Sequence, residues 1–260
     1  MKKYFLFIFL ISASICFANS DSLIDSLLFD VGMKKPSEQL KTYKQVIALC
    51  SNDPEKALDY SEVALGIARK ENNYSEVANL LHNIGFYHYQ MSSYTKSISY
   101  FEDALKIKKD LDDNDSYANT LNSIGLVYLD WSDYENALYY FQESLKIYEK
   151  TGNKQKQSIS LNNIGLVYYD WENYEQTLKY YNQSLQIREM LDDRSGISST
   201  LNNMGNVYYS MGNYEAALEC FKESLKIKEE LDNKRGIANT LNNIGRIYAD
   251  LKKFEVAMRY

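Results

Sequence analysis

Glycine falls at Gly85, Gly125, Gly165, Gly205 and Gly245, always at a spacing of 40, and a leucine stands four places before each, at Leu81, Leu121, Leu161, Leu201 and Leu241. Self-similarity at one fixed period means a chain built from copies of one supersecondary unit that cannot bury its apolar face alone. In the copy LNNIGLVYYDWENYEQTLKYY, which starts at residue 161, Leu161, Ile164, Gly165 and Tyr168 fall at i, i+3, i+4 and i+7. That spacing makes one helical stripe, helix A. Trp171-Glu172-Asn173 interrupts it, and the counterpart Met211-Gly212-Asn213 carries residues that end helices in a left-handed conformation. A second stripe through Tyr174, Thr177, Leu178, Tyr181, Ser184 and Leu185 predicts helix B, and Asp192-Asp193-Arg194-Ser195 ends it and caps the next helix. The unit is an antiparallel helix pair. Glycine inside a helix costs roughly 1 kcal/mol against alanine. Its return on the buried stripe therefore predicts a close approach of helix B, with Ala137, Thr177 and Ala217 facing it. Pairs of this kind bury their stripes by stacking, which gives an all-α solenoid.

Proline occurs only at Pro36 and Pro54, which agrees with a helical chain. Acids outnumber bases 35 to 29 for a net charge of -6, and no basic stripe is present to neutralise phosphates, so nucleic acid is excluded as an expected partner. The first residues follow a different logic. Lys2 and Lys3, the apolar run from Tyr4 to Phe17 and the small residues Ala18 to Ser20 describe a secretory signal peptide over 1–20, with an uncleaved N-terminal anchor as the alternative. Ile15 stands where lipid attachment at Cys16 would want a small residue. The expected location is exported, on the periplasmic or extracellular side. Cys50 and Cys220 lie several helix pairs apart and are expected to be buried free thiols.

The set Leu161, Ile164, Gly165, Tyr168, Thr177, Tyr181 and Ser184 resembles the tetratricopeptide repeat, with threonine and serine where that pattern has alanines; Ala217, Phe221 and Ser224 come closer. The resemblance implies a tetratricopeptide-repeat α-solenoid, a right-handed superhelix of antiparallel helix pairs. The usual unit is shorter, at about 34 residues, and ends in proline. Here the period is 40 without that proline, which places the added residues in a longer helix B. Units of this longer kind are similar to those of Pins-like scaffold proteins, peptide-sensing regulators and the exported sensor region of bacterial signalling kinases. The frame divides the chain into a lead-in helix at 21–40, a divergent repeat at 41–80, and repeats at 81–120, 121–160, 161–200 and 201–240. An incomplete repeat at 241–260 ends within helix B, and the chain reads as truncated there.

No catalytic constellation emerges, and the reading is non-enzymatic with no cofactor. His82 and His88 are six apart and face different sides of a helix, unlike a zinc-binding i, i+4 pair. The run Asp110 to Asp115 lacks the glycine and the closing glutamate of a calcium loop and reads as a solvated turn. Glu143 with Lys146 and Glu223 with Lys226 read as surface pairs, and Trp131 and Trp171 as core.

The resemblance implies that helix A residues one, five and eight places after the leucine look into a concave groove. These are Asn122, Leu126 and Leu129, then Asn162, Leu166 and Tyr169, Asn202, Asn206 and Tyr209, and Asn242, Arg246 and Ala249. An asparagine amide carries a donor and an acceptor, so a file of them can pair with the backbone of an extended peptide whatever its sequence. Asn163, Asn203 and Asn243 read as structural, bonding to neighbouring helices or to water. Two functions fit: a protein- or peptide-binding scaffold, or the sensory input of a membrane-bound signalling protein whose output part follows. Membrane contact is expected only through an uncleaved signal or a downstream span.

Overall fold

A computed structural model describes residues 21–260, so the expected leader lies outside the described residues. The described residues divide into two compact units, one ending at Asp113 and the other Asn114–Tyr260.

In the first unit, residues 21–28 form helix α1 and Val31–Met33 a 3-10 turn, followed by α2 (Pro36–Leu49), α3 (Pro54–Lys70), α4 (Tyr74–Gln90) and α5 (Tyr94–Asp110). Helix α1 presses Ile24, Leu27 and Leu28 onto Val46, Cys50 and Ala57, so the lead-in covers the first helix pair. Pro36 and Pro54 both stand in the first helical turn, where a missing N–H costs nothing. The main core of this unit joins Leu65, Ala68, Val77, Leu81, Ile84 and Ala104.

The second unit contains α6 (Asn114–Asp130), α7 (Tyr134–Thr151), α8 (Lys154–Asp170), α9 (Tyr174–Met190), α10 (Arg194–Ser210), α11 (Tyr214–Glu230), α12 (Lys234–Asp250) and the short α13 (Phe254–Ala257). Helices A are the even-numbered ones and helices B the odd-numbered. Helix A begins at Lys154 rather than near Leu161, so a frame opened at the leucines starts inside helix A. The pairs themselves run α6–α7, α8–α9 and α10–α11. Both helices of the pair α8–α9 have 17 residues, which corrects the expectation that helix B alone is lengthened.

The connections explain this equality. Asn72, Ser92, Asp112, Ser132, Gly152, Glu172, Asp192, Gly212, Asp232 and Lys252 all have positive φ, and each number exceeds the one before it by 20. At each turn the chain closes the helix with two backbone bonds, such as Glu172 N–H to Tyr169 O at 2.9 Å and Asn173 N–H to Tyr168 O at 2.8 Å. Where the next residue is asparagine or aspartate it then caps the following helix: Asn173 accepts from Gln176 N–H at 3.2 Å and Asp193 from Gly196 N–H at 2.9 Å, whereas Ser93 and Lys253 make no such bond. Helix stop and helix start are fused into one short turn. The backbone period is thus half the sequence period, which reflects the alternation of two different helices on it.

The glycines sit where close approach is expected, but their partner differs. A Cβ at Gly125, Gly165 or Gly205 would lie 2.6–2.7 Å from the ring of Phe141, Tyr181 or Phe221. The small residues Ala137, Thr177 and Ala217 are fully buried, and the Thr177 carbonyl oxygen lies 3.4 Å from the Gly165 position, farther than the ring. An aromatic ring fills the glycine notch.

Three further expectations are corrected. Trp131 and Trp171 follow the last residue of helix A, in the turn, and are 49% and 48% exposed rather than core. Cys50 is buried but Cys220 only half-buried, and both are free thiols. The Glu143–Lys146 pair forms at 2.6 Å, whereas no ion pair joins Glu223 to Lys226. No helix among the described residues is long and apolar enough to cross a membrane.

Candidate functional site

Within the second unit, α6 touches α8 and α10 touches α12, while the helices B make no comparable approach to one another. Such a row curves toward its A side. The inner face is therefore built from helix A residues that escape the two stripes packed against helix B and the preceding pair.

Asn122, Asn162 and Asn202 are half-buried on this face, as are Leu126, Leu166, Asn206, Tyr169 and Tyr209; Asn242 and Arg246 are exposed. Leu129 is buried in the core with Phe141, Ile164 and Val167, and does not look outward. Leu126 and Leu166 pack against that same cluster, so their apolar surface serves the core first. The asparagine files are bonded to each other. Asn163 Nδ2 donates to Asn122 Oδ1 at 3.1 Å, and Asn203 Nδ2 to Asn162 Oδ1 at 3.4 Å. Each bond runs from one repeat to the neighbouring position of the next, an offset of 41 in the sequence. Asn243 departs from this register and donates to Asn206 Oδ1 at 3.4 Å.

Asn202 is held by other groups. The Lys228 ammonium reaches through from helix α11, donating to Thr240 Oγ1 at 2.8 Å and to Asn202 Oδ1 at 3.4 Å; Thr240 Oγ1 also lies 3.2 Å from Asn202 Oδ1. Lysine has only donors, so this contact fixes which end of the Asn202 amide points inward. Burial pushes the Lys228 pKa down. One repeat earlier, Arg188 takes the same position, with Nη1 on Gly196 O at 2.6 Å and Thr200 Oγ1 at 2.7 Å, and burial lowers its pKa. The sequence pattern assigns neither cation a place at the site. Their signal was a polar residue in helix B twelve places before Ser160, Thr200 or Thr240, at Tyr148, Arg188 and Lys228.

Toward the C-terminal ends of the helices A the face becomes aromatic. Tyr169 O–H meets Ser210 Oγ at 3.0 Å, and Tyr209 O–H donates to Asp250 Oδ2 at 2.5 Å. The Arg246 guanidinium lies 4.1 Å above the Tyr209 ring. The Asp250 hydrogen bond raises the Tyr209 pKa most, ahead of burial.

The histidines belong to the first unit. His82 lies against Phe101 with ring centroids 5.1 Å apart, and burial, aided by Lys108, pushes its pKa down to about 4. His88 stacks on Tyr100 at 5.3 Å. Among the described residues no group of three or more His, Cys, Asp or Glu is placed to hold a metal ion.

The row of helix pairs has solved counterparts. BtubC from P. vanneervenii is 20% identical with a TM-score of 0.66, over 85% of this chain and 90% of that one. A Signal Transduction ATPase with Numerous Domains protein with a tetratricopeptide repeat sensor, from Pyrococcus horikoshii, is 19% identical with a TM-score of 0.72, over 88% of this chain but 36% of that one. The Rap conjugation gene regulator of the plasmid pLS20, in complex with the Phr* peptide, is 16% identical with a TM-score of 0.66, over 93% and 72%. At these identities the likeness establishes the fold. No curated protein sequence matches the chain. The family pattern described as Tetratricopeptide repeat matches residues 76–150, 132–190, 156–230 and 196–260, overlapping segments that run without a gap from residue 76 to 260. With that span and this architecture, the chain belongs to the tetratricopeptide repeat family.

Proposed function

We propose that the chain is a non-enzymatic scaffold that binds a protein or an extended peptide on the inner face of its helix A row. The observation that carries this reading is the amide relay. Asn122 and Asn162 spend their Oδ1 atoms on the next repeat, and Asn202 spends its own on Lys228 of the paired helix and Thr240 of the following one, so each is held in place at no cost to its two Nδ2 donors. Side chains ordered before the ligand arrives lose less entropy on binding. The file thus offers donors, and the matching ligand offers carbonyl or carboxylate oxygens along an extended backbone. Asn242, Asn206 and Arg246 continue the face, Leu126 and Leu166 add apolar surface, and Tyr169 and Tyr209 close it. The pLS20 Rap regulator, a structural likeness, was solved in complex with a peptide, which supports a peptide as the ligand class.

The test is a random-peptide selection on the immobilised protein, repeated with Asn162→Asp and Asn202→Asp. Aspartate keeps an inward acceptor for Asn203 or Lys228 and replaces the outward donor by an acceptor. Selected peptides should bind each variant about ten-fold more weakly, the loss of one hydrogen bond, with unchanged melting. Peptides that bind the variants as well as the parent would remove the asparagine file from the reading.

We further propose that the mature chain works outside the cytosol, supported by the basic start and apolar run of residues 1–20. N-terminal sequencing of the protein from fractionated cells should find a start near Asn19 to Asp21, and an intact Met1 in the cytosol would overturn it.

A further inference from the structure

The edge of the second unit formed by the A-to-B turns carries a row of exposed apolar and aromatic side chains. Trp131, Trp171, Met211 and Leu251 stand one repeat apart along it, between 38% and 51% exposed. The rings are organised: Trp131 stacks on Tyr128 with centroids 6.3 Å apart, Trp171 meets Tyr134 at 6.0 Å, and Tyr169 meets Tyr174 at 6.0 Å. Large apolar side chains left outside a core in a repeating row mark an interaction surface.

The charges around them differ along the row. The turn segments DWSDYE (130–135) and DWENYE (170–175) each hold three acids and no base, whereas DLKKFE (250–255) holds two of each. The Asp170 pKa is pushed up, first by partial burial and then by the negative charge of Asp130. Aromatic faces and carboxylates together are complementary to a cation and repel an anionic partner or membrane surface.

The molecule supplies its own precedent one repeat further on. Tyr209 sits beside Tyr214, with centroids 5.7 Å apart, as Tyr169 sits beside Tyr174, and the Arg246 guanidinium covers the Tyr209 ring. The residue that stands to Tyr169 as Arg246 stands to Tyr209 is Asn206, whose Oδ1 is taken by Asn243. The more acidic copy of the same aromatic corner therefore has asparagine where the later copy has its cation.

We propose that the turn edge around Trp131, Tyr134, Tyr169 and Trp171 docks a lysine- or arginine-bearing segment of a protein partner, a cationic side chain lying on the aromatic corner between the acids of the two turns. This surface is separate from the asparagine file and rests on the inner-face reading only through Tyr169, which both use.

The chain has two tryptophans, and both stand on this edge, so their emission reports on it directly. The full chain is titrated with N-acetylated, C-amidated tetra-arginine, with its neutral citrulline analogue as the comparison, under excitation selective for tryptophan. Tetra-arginine should change the emission saturably and the citrulline peptide should not. Glu172→Gln with Glu175→Gln, both at exposed positions, should weaken tetra-arginine about ten-fold, while Glu223→Gln with Glu229→Gln on helix B, which removes the same charge, should leave it unchanged. Asn162→Asp and Asn202→Asp should also leave it unchanged, so the inner-face reading and this one fail independently. No saturable change, an equal response to the citrulline peptide, or equal weakening by the helix B pair would each overturn the proposal.

Discussion

The seam inside each helix pair and the seam between one pair and the next are built on different principles. Inside a pair, the fit is steric: the ring of Phe141, Tyr181 or Phe221 lies on a glycine, and nothing larger than hydrogen fits beneath it. Between pairs, a polar contact joins an apolar one. Ser144 Oγ meets Ser160 Oγ at 2.9 Å, Arg188 reaches Thr200, and Lys228 reaches Thr240. The same frame position holds Tyr148, Arg188 and Lys228, three side chains alike only in length and a polar tip. The difference teaches that a repeat protein can fix the shape of its unit tightly while leaving the joint between units chemically adjustable, which is where the inner face takes its character.

The largest effect should come from the tight seam. At Gly165, alanine would place its Cβ 2.6 Å from the Tyr181 ring, so Gly165→Ala should destabilise the protein by about 2–3 kcal/mol despite the better helix propensity of alanine. Gly66, on the exposed side of helix α3, faces no ring: an added Cβ there would meet nothing within 4 Å. There Gly66→Ala should be stabilising, by up to about 1 kcal/mol. Thermal melts of the two variants check the sign reversal; equal effects would show that the notch does not set the seam.

In the first unit the corresponding seam also holds an ionisable group. His82 lies on Phe101, the ring that fills the Gly85 notch, with its pKa held at about 4 against an ordinary value of 6.5. Its folded pKa is depressed, so the unfolded chain binds the proton more readily between those values. Stability is complete above about pH 6.5 and is lost as the pH falls toward 4, by about 2 kcal/mol at pH 5. His82→Asn, which installs the residue found at this position in the later repeats, should flatten the stability curve over pH 4–6.5 in denaturant titrations.

The looser seam predicts tolerance. A buried cation replaced by an apolar side chain of similar length loses hydrogen bonds but also the desolvation penalty that lowers the Lys228 pKa. Lys228→Met should therefore change stability by no more than about 1 kcal/mol, in contrast to Gly165→Ala. It would leave the inward end of the Asn202 amide to Thr240 alone, so peptide binding should fall more than stability does.

The parts of the fold legible in the sequence were those that demand one residue type. The glycine notch, the apolar stripes and the asparagine or aspartate caps each narrow the choice of side chain, and so the helix pair could be read from a single copy. The tryptophans were misplaced because recurrence at a frame position was equated with burial, although the residue just after helix A faces the turn edge. The asparagine files were visible at their spacing of 40, but the bond between them joins positions 41 apart. That offset comes from the register of neighbouring helices, which no pattern within one repeat contains. Lys228 escaped because its column, Ala68, Lys108, Tyr148, Arg188 and Lys228, interrupts its cations with an alanine and a tyrosine.

The shorter backbone period was hidden for a related reason, and it yields the smallest prediction. Left-handed conformation is met here by Asn, Ser, Asp, Glu and Lys as well as by Gly152 and Gly212, so no single letter recurs from turn to turn. A serine at φ 60°, as at Ser132, carries strain that glycine would not. Glycine also has more freedom to lose on folding, which offsets part of the relief. Ser132→Gly should therefore stabilise by only about 0.5 kcal/mol, readable as a small upward shift in the urea midpoint with unchanged slope. The same exchange within a helix, as at Ser123, should destabilise by a similar amount. Opposite signs for the two serines would show that the turns, rather than the helix stripes, set the backbone beat on which both seams are laid.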